Sequence, residues 1–142
     1  MKKAIPVLVL LSITNGIGIA LYIFRYKLFP QVNFVDHLDG LGSALASYAT
    51  AMMALVFALI VILTSLDNEN IRKFKAFGYL KSTYFFYFFC FIELGITLFL
   101  AILCLSNIKT YFIASLALTF SVVTFLQVMI VVLQVILLSL KR

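Results

Sequence analysis

The sequence has no tryptophan, one histidine, two cysteines, two prolines and five acidic residues among its 142 positions. Charged residues make up 11% of the chain, whereas they make up about 25% of an average soluble domain. Hydrophobic residues make up 65%, more than a soluble domain of this size has interior to bury. The excess apolar surface therefore has to face lipid, which excludes a soluble enzyme, a nucleic-acid-binding domain and a disordered segment.

Motifs for catalysis and for cofactor binding are missing as well. The chain contains no HExxH, no glycine-rich phosphate-binding loop and no nucleophile elbow. Cys90 and Cys104 are 14 residues apart in one apolar block. On a helix this separation is about 21 Å, which is beyond the reach of a disulfide. We therefore expect no enzymatic activity, no cofactor and no bound metal.

Four apolar stretches are long enough to cross a bilayer, which takes a helix of about 20 residues. They cover approximately residues 5–24, 43–66, 82–105 and 111–140, with longer connections at 25–42 and 67–81. The first stretch could be a signal peptide cleaved after Gly18-Ile19-Ala20, but its apolar block continues to Phe24 and ends at Arg25, which favours a span. The predicted fold is a single all-α domain, an integral membrane four-helix bundle.

The basic residues are distributed unevenly between the two sides of this bundle. Eight of the 11 lysines and arginines lie in the N-terminal tail, the 67–81 loop and the C-terminus. Basic loops stay in the cytoplasm, so both termini and the 67–81 loop are expected there, and the 25–42 loop is expected outside. The lysines and arginines are clustered between the apolar blocks, which also argues against a nucleic-acid partner.

The cytoplasmic 67–81 loop allows two local structures. It forms either a short amphipathic helix on the anionic inner leaflet or an early start of the third span. Its basic residues Arg72, Lys73 and Lys75 lie largely on one side, while Ile71 and Phe74 lie on another. We predict that this basic side contacts membrane lipids or a partner protein.

Glu93 is the one ionisable residue deep inside an apolar stretch, near the middle of the third span. A charged side chain there costs about 2.5–3.5 kcal/mol to insert, so the residue is a candidate for a gate, a proton-sensing group or a cation path. The structural alternative is a neutral acid that is hydrogen-bonded to a neighbouring helix. Asn15 and Gln127 lie at a similar depth, and Thr124, Gln127 and Gln134 share one face of the fourth span. These five residues are the pore or gate candidates, although each polar partner could also serve only helix packing.

Small residues recur at helical spacing in the second span. Ser43 and Ser47 belong to one row, and Thr50 and Ala54 belong to a neighbouring row. Small side chains let helix backbones approach closely in lipid, so this face is predicted to be a packing seam. The spacing does not distinguish packing within the chain from packing between subunits, and a pore lining is the less favoured alternative.

The external loop carries the chain's one histidine between two acids. Asp36, His37 and Asp39 could together hold a divalent ion or act as a pH switch. Their spacing matches no specific metal site, however. A solvated loop is the favoured interpretation of these three residues.

Several short motifs resemble a known family in their order and spacing. They are His37-Leu38-Asp39-Gly40-Leu41-Gly42, Ser47-Tyr48-Ala49, Gly78-Tyr79 and Phe91-Ile92-Glu93-Leu94-Gly95. The stretch from Arg25 to Gln134 resembles the RexB family, membrane proteins of the lambdoid-phage exclusion system. The resemblance implies a prophage-encoded protein with four spans in the bacterial inner membrane. In that system a cytoplasmic sensor, RexA, responds to superinfection, and the membrane protein lets ions leak and depolarises the cell.

Three functions are compatible with these features. The first is a channel-like effector of phage exclusion, with Glu93 on a cation path. Four packed helices leave no room for a hydrated pore, so conduction would require a homo-oligomer or a parted bundle. The second is a non-conducting scaffold that recruits or inhibits a cytoplasmic partner through the 67–81 loop. A small transporter ranks last, because the spans look continuous and no two halves match.

Overall fold

The computed structural model describes residues 5–28, 35–108 and 110–140, and every regular element among them is helical. Helix α1 spans Ile5–Leu28, and a short 3₁₀ helix at Val35–His37 leads into α2, Leu38–Ser65. Helix α3 is a short helix, Glu69–Ala76, in front of α4, Tyr79–Leu105. Helix α5 spans Tyr111–Ser139. The predicted all-α class is confirmed, with α1, α2, α4 and α5 long and apolar enough to cross a membrane.

The surface of the bundle is apolar along its length. Phe57, Phe88 and Phe99 are each at least 60% exposed, together with many aliphatic side chains of the same four helices. Exposed phenylalanine on every side would be unstable in water, whereas in a bilayer it contacts lipid acyl chains. The four long helices satisfy their backbone hydrogen bonds internally, as membrane-spanning segments must.

Helices α2, α4 and α5 pack against one another, and α1 lies outside this group. Helix α1 packs mainly on α5 and has a smaller contact with α4. The share of buried residues in the most apolar stretch is 17% for α1, compared with 33% for both α4 and α5. Helix α1 is therefore the peripheral span of the bundle.

The interior contains two apolar clusters. The larger one, which includes Val56, Tyr87 and Val131, fills the end of the bundle where α3 lies. The smaller one, which includes Leu45, Ala101 and Ala117, fills the other end. Along α4 and α5, a band of buried polar residues separates the two clusters: Glu93, Thr97, Thr124 and Gln127.

The 67–81 segment forms a separate helix and does not extend the third span. The Asn68 side chain caps α3 by accepting a hydrogen bond from the Ile71 N–H at 2.8 Å, and Ile71 is fully buried. Gly78 has a φ of 73°, the left-handed region that favours glycine, and this turn separates α3 from α4. Of the two local structures that the sequence allowed, the short helix is the one that forms.

Candidate functional site

Glu93 lies at the middle of α4 and is 9% exposed. Both of its carboxylate oxygens accept hydrogen bonds from other helices. Asn15 of α1 donates from Nδ2 to Oε1 at 3.0 Å, and Gln127 of α5 donates from Nε2 to Oε2 at 2.7 Å. Both donors are neutral amides, and within the described residues no lysine or arginine forms an ion pair with Glu93. The structure thus joins three helices at one carboxyl group.

Thr14 is a fourth member of this group, which we call the polar layer: Thr14, Asn15, Glu93 and Gln127. Gln127 Nε2 also donates to Thr14 Oγ1 at 3.2 Å, while the Thr14 hydroxyl donates to the carbonyl of Leu11. Sequence reasoning missed Thr14, because a threonine in a membrane helix commonly bonds only to its own backbone. Its position beside Asn15, in a helix with few polar residues, was the available signal.

Gln127 is fully buried and makes an incomplete set of hydrogen bonds. Its amide nitrogen serves Glu93 and Thr14, but its Oε1 has no hydrogen-bond partner among the described residues. A buried amide oxygen without a donor is costly in a low-dielectric interior. The polar layer therefore holds an available carbonyl oxygen on the same side chain that binds the Glu93 carboxylate. Carboxylate and amide oxygens are the ligand type that hard cations prefer.

Thr124 and Gln134, the other two pore candidates, make separate contacts. Thr124 Oγ1 lies 3.1 Å from the hydroxyl of Tyr48 on α2. Gln134 donates from Nε2 to Thr83 Oγ1 on α4 at 3.0 Å. The polar residues of α5 thus form a row along the helix, but Thr124, Gln127 and Gln134 each contact different neighbouring residues. The structure brings Asn15, Glu93 and Gln127 together and leaves Thr124 and Gln134 outside that group.

Two grooves lie along α1, on either side of the polar layer. The α3-side groove has a volume of about 360 Å³ and lies between α1, α4 and α5. The far groove has a volume of about 170 Å³ and lies between α1 and α5, with Asn15 and Gly18 in its wall. Both linings are mostly apolar, but Thr83 and Gln134 line the first groove, and Asn15 and Thr119 line the second.

The predicted packing seam on α2 is not formed within the chain. Ser43, Ser47, Thr50 and Ala54 are all exposed. The face of α2 that packs on α4 instead contains Gly42 and Ala49, both buried. A Cβ at Gly42 would lie 2.8 Å from the Ala101 carbonyl oxygen, so glycine is what permits this close approach. Packing between subunits remains the prediction for the exposed row.

The predicted loop residues are helical and lie apart from the polar layer, with Asp36 and His37 in the 3₁₀ helix and Asp39 in the first turn of α2. Asp36, His37 and Asp39 are exposed at the end of the bundle opposite α3. Within the described ranges, no three histidine, cysteine, aspartate or glutamate residues are grouped closely enough to hold a metal ion. Asp36, His37 and Asp39 therefore form no metal-binding geometry in the part of the chain that the structure describes.

The basic residues of α3 are exposed: Arg72, Lys73 and Lys75. Lys73 forms an ion pair with Glu69 at 2.7 Å, one helical turn away. The hydrogen bond and the charge of Lys73 lower the pKa of the Glu69 carboxyl below its ordinary value. Asn68 and Asn70 fix the position of α3 by donating to the carbonyls of Leu138 and Leu140 at the end of α5.

Comparisons with known proteins identify the family. A family model described as RexB, a membrane-anchored ion channel and Abi (abortive infection) component, matches residues 5–142. The chain is 34% identical over 118 residues to the protein RexB of Escherichia phage lambda, covering 83% of this chain and 81% of that protein. No solved structure matches. The chain therefore belongs to the RexB family of membrane-anchored ion channels.

Proposed function

We propose that this protein is a channel-like effector of phage exclusion in the bacterial inner membrane, and that it depolarises the cell when a cytoplasmic sensor similar to RexA activates it. Family membership and the four apolar helices support conduction across a membrane. The activity is passive ion flow and involves no enzymatic step and no cofactor. The observation on which the proposal mainly rests is the Glu93 carboxyl group, held by two neutral amides halfway along the bundle.

A carboxyl group at this depth suits a gate for cations. It is expensive to bury, and acidic side chains are a common element of cation channels. The hydrogen bonds from Asn15 and Gln127 occupy both carboxylate oxygens, so the arrangement is that of a closed gate. An activated state would replace at least one of these donors with a hydrated cation. A constitutive leak would kill the host cell, which is consistent with a closed resting state.

The proposed orientation places α3 in the cytoplasm together with both termini, because eight of the 11 basic residues belong to those segments. The exposed basic side of α3, with Arg72, Lys73 and Lys75, would then face the sensor and the anionic inner leaflet. Self-association is also part of the proposal. A homo-oligomer would gather several Glu93 side chains around a shared path, whereas a parted bundle would expose Glu93 within a single subunit.

The test is the membrane potential of living cells, followed with a voltage-sensitive dye while the protein is induced with and without the sensor. Depolarisation should increase with expression level and should weaken in the Glu93→Gln variant. The leak is then measured with purified protein and the sensor in vesicles. Asp67→Asn is the matched control variant, because it removes one negative charge from an exposed position outside the bundle. We expect Glu93→Gln to reduce the leak roughly tenfold, equivalent to about 1.4 kcal/mol in the barrier, and Asp67→Asn to leave it unchanged. An equal leak in all three proteins would contradict the role of Glu93.

A non-conducting scaffold is the second candidate function, favoured by the exposed basic side of α3. In this case the protein would recruit or inhibit a cytoplasmic partner at the membrane without passing ions. Vesicles distinguish the two functions, because only the channel should release a trapped ion. A potential that never changes in cells, with the sensor present and the protein found in the membrane, would favour the scaffold.

A further inference from the structure

Helix α1 is held in the bundle by three kinds of contact. In the middle, Asn15 and Thr14 join it to Glu93 and Gln127. At the end opposite α3, Tyr22 packs edge-on against Phe112, and Tyr26 stacks on Tyr111. Elsewhere its contacts are apolar, and it is the least buried of the four long helices. Moving α1 out of the bundle therefore disrupts less packing than moving α2, α4 or α5 would.

The two grooves and the polar layer follow one line along α1. The α3-side groove is lined on α1 by Val7 and Leu10, the polar layer follows with Thr14 and Asn15, and the far groove follows with Gly18 and Tyr22. The two grooves are thus already aligned, one on each side of Glu93. Only the polar layer and close helix packing interrupt them.

Polar side chains recur along this line at regular depths. Gln134 lines the α3-side groove, Gln127 belongs to the polar layer, and Thr119 lines the far groove. These α5 residues are seven and eight positions apart, or about 10–12 Å at 1.5 Å per residue. The groove walls between them are apolar, as in constrictions that exclude water until they widen. A modest widening would join the polar side chains into one hydrated track.

The close approach of α1 and α5 depends on Gly18. A Cβ at this position would overlap the Cγ2 atom of Val123 and lie 3.9 Å from the Val123 Cβ. By contrast, a Cβ at Gly16 would have nothing within 4 Å. Gly18 is therefore the point at which the far groove is closed by direct contact between the two helices.

We propose that the ion path lies within each subunit, along the junction of α1 with α4 and α5, and that it opens when α1 moves away from α5. This inference rests on the proposed function and specifies where its ions pass. Movement of α1 removes the Asn15 donor from Glu93 and joins the two grooves through the polar layer. The carboxylate then faces the widened path, where it attracts cations.

A reversible lock tests this path. In the double variant Gly18→Cys/Val123→Cys the two Cβ atoms are 3.9 Å apart, which suits a disulfide. The purified protein is placed in vesicles together with the sensor, and ion release is measured with the disulfide oxidised and after reduction. Oxidation should abolish the leak to the level of protein-free vesicles, and reduction should restore it. The single variant Val123→Cys should leak equally under both conditions. A leak that persists in the fully oxidised double variant overturns the intrasubunit path but leaves the proposed function intact.

Thiol labelling gives a second measurement that does not depend on the lock. Thr119→Cys and Gln134→Cys lie in the grooves, and Met129→Cys is a matched α5 control at a lipid-exposed position, 45% exposed. A charged, membrane-impermeant thiol reagent is applied to leaking vesicles, with the unmodified protein as the blank for Cys90 and Cys104. Labelling of both groove positions but not of Met129→Cys supports the path. Leaking vesicles in which neither groove position is labelled contradict it. A failure of every variant and of the unmodified protein to leak, even with the sensor, contradicts the proposed function itself.

Discussion

Gln127 of α5 donates a 2.7 Å hydrogen bond to the carboxylate of Glu93 of α4, and both side chains are buried halfway along the bundle. The contact joins the two most buried long helices at the point where their apolar clusters separate. The Glu93 carboxylate is a strong hydrogen-bond acceptor, and it lies where neither lipid nor protein supplies water. The stability of the closed bundle and the proposed gate therefore depend on the same pair.

The first prediction concerns this pair. Gln127→Leu keeps a side chain of similar size but leaves Glu93 Oε2 without its donor, so the folded state should lose about 1–3 kcal/mol. Gln134→Leu is the control on the same helix, because it removes a half-buried hydrogen bond to Thr83 that should contribute about 0.6 kcal/mol. Thermal unfolding of both variants in detergent micelles gives the comparison. Equal losses of stability in the two variants would show that the Gln127–Glu93 contact stabilises the protein no more than the Gln134–Thr83 contact does.

The second prediction concerns the α1–α5 contact at Gly18. Gly18→Ala introduces a Cβ that overlaps Val123, which pushes α1 outward and should increase the vesicle leak. Gly16→Ala should leave the leak unchanged, because its Cβ has no neighbour within 4 Å. The double variant Gly18→Ala/Val123→Ala restores space and should bring the leak back towards the unmodified level. The same leak in Gly18→Ala and Gly16→Ala would contradict the importance of this contact.

The depth of the polar layer was predictable from the sequence, but its full membership was not. Asn15, Glu93 and Gln127 each lie near the middle of an apolar stretch, and depth follows from counting residues along a helix. The neighbour that each residue contacts is harder to predict, because Thr124 contacts Tyr48 of α2, whereas Gln134 contacts α4 as Gln127 does, but at Thr83. Thr124 is three positions from Gln127 and is therefore rotated by about 60°, whereas Gln134, seven positions away, points in nearly the same direction as Gln127 at another depth.

Burial was less predictable than depth. All four long helices are apolar around their circumference, so hydropathy does not show which face meets lipid or that α1 is peripheral. The positions of small side chains also do not show which face of a helix is buried. Gly42 and Ala49 pack on the inner face of α2, while Ser43 and Ser47 lie on its exposed side. Both rows have helical spacing, and only the packed structure distinguishes them.

The third prediction tests the inner face of α2. Gly42→Ala places a Cβ 2.8 Å from the Ala101 carbonyl oxygen, and a helix backbone cannot move aside as a flexible side chain does. We expect a loss of about 1–3 kcal/mol from overpacking. Gly40→Ala, with nothing within 4 Å of its Cβ, should be neutral or slightly stabilising. Unfolding in micelles measures both variants, and a neutral Gly42→Ala would show that α2 and α4 can separate without cost.

The fourth prediction concerns the cap of α3. Asn68 accepts from the Ile71 N–H and donates to the Leu138 carbonyl, so it joins α3 to the end of α5. Asn68→Ala removes both contacts and should cost about 0.5–2 kcal/mol as a lost helix cap. Asn70→Ala removes only the exposed bond to Leu140 and serves as the control. Hydrogen exchange at the Ile71 amide should accelerate in the first variant and not in the second. Unchanged exchange in Asn68→Ala would contradict the capping role.

The last prediction concerns the pH dependence of α3. The hydrogen bond and charge of Lys73 lower the pKa of Glu69 in the folded protein, so their contribution to α3 is present above the ordinary carboxyl pKa. It is lost as the pH falls through the lowered folded value. Lys73→Gln should raise the pKa of Glu69 towards its ordinary value, as followed by NMR titration of the carboxyl carbon, and high salt should act in the same direction because the pair is exposed. Lys75→Gln, which removes a charge six positions from Glu69, should have a smaller effect. If both lysine variants shift the pKa equally, the general charge of α3 and not the Lys73 contact determines it, and the whole basic side then acts as one electrostatic surface.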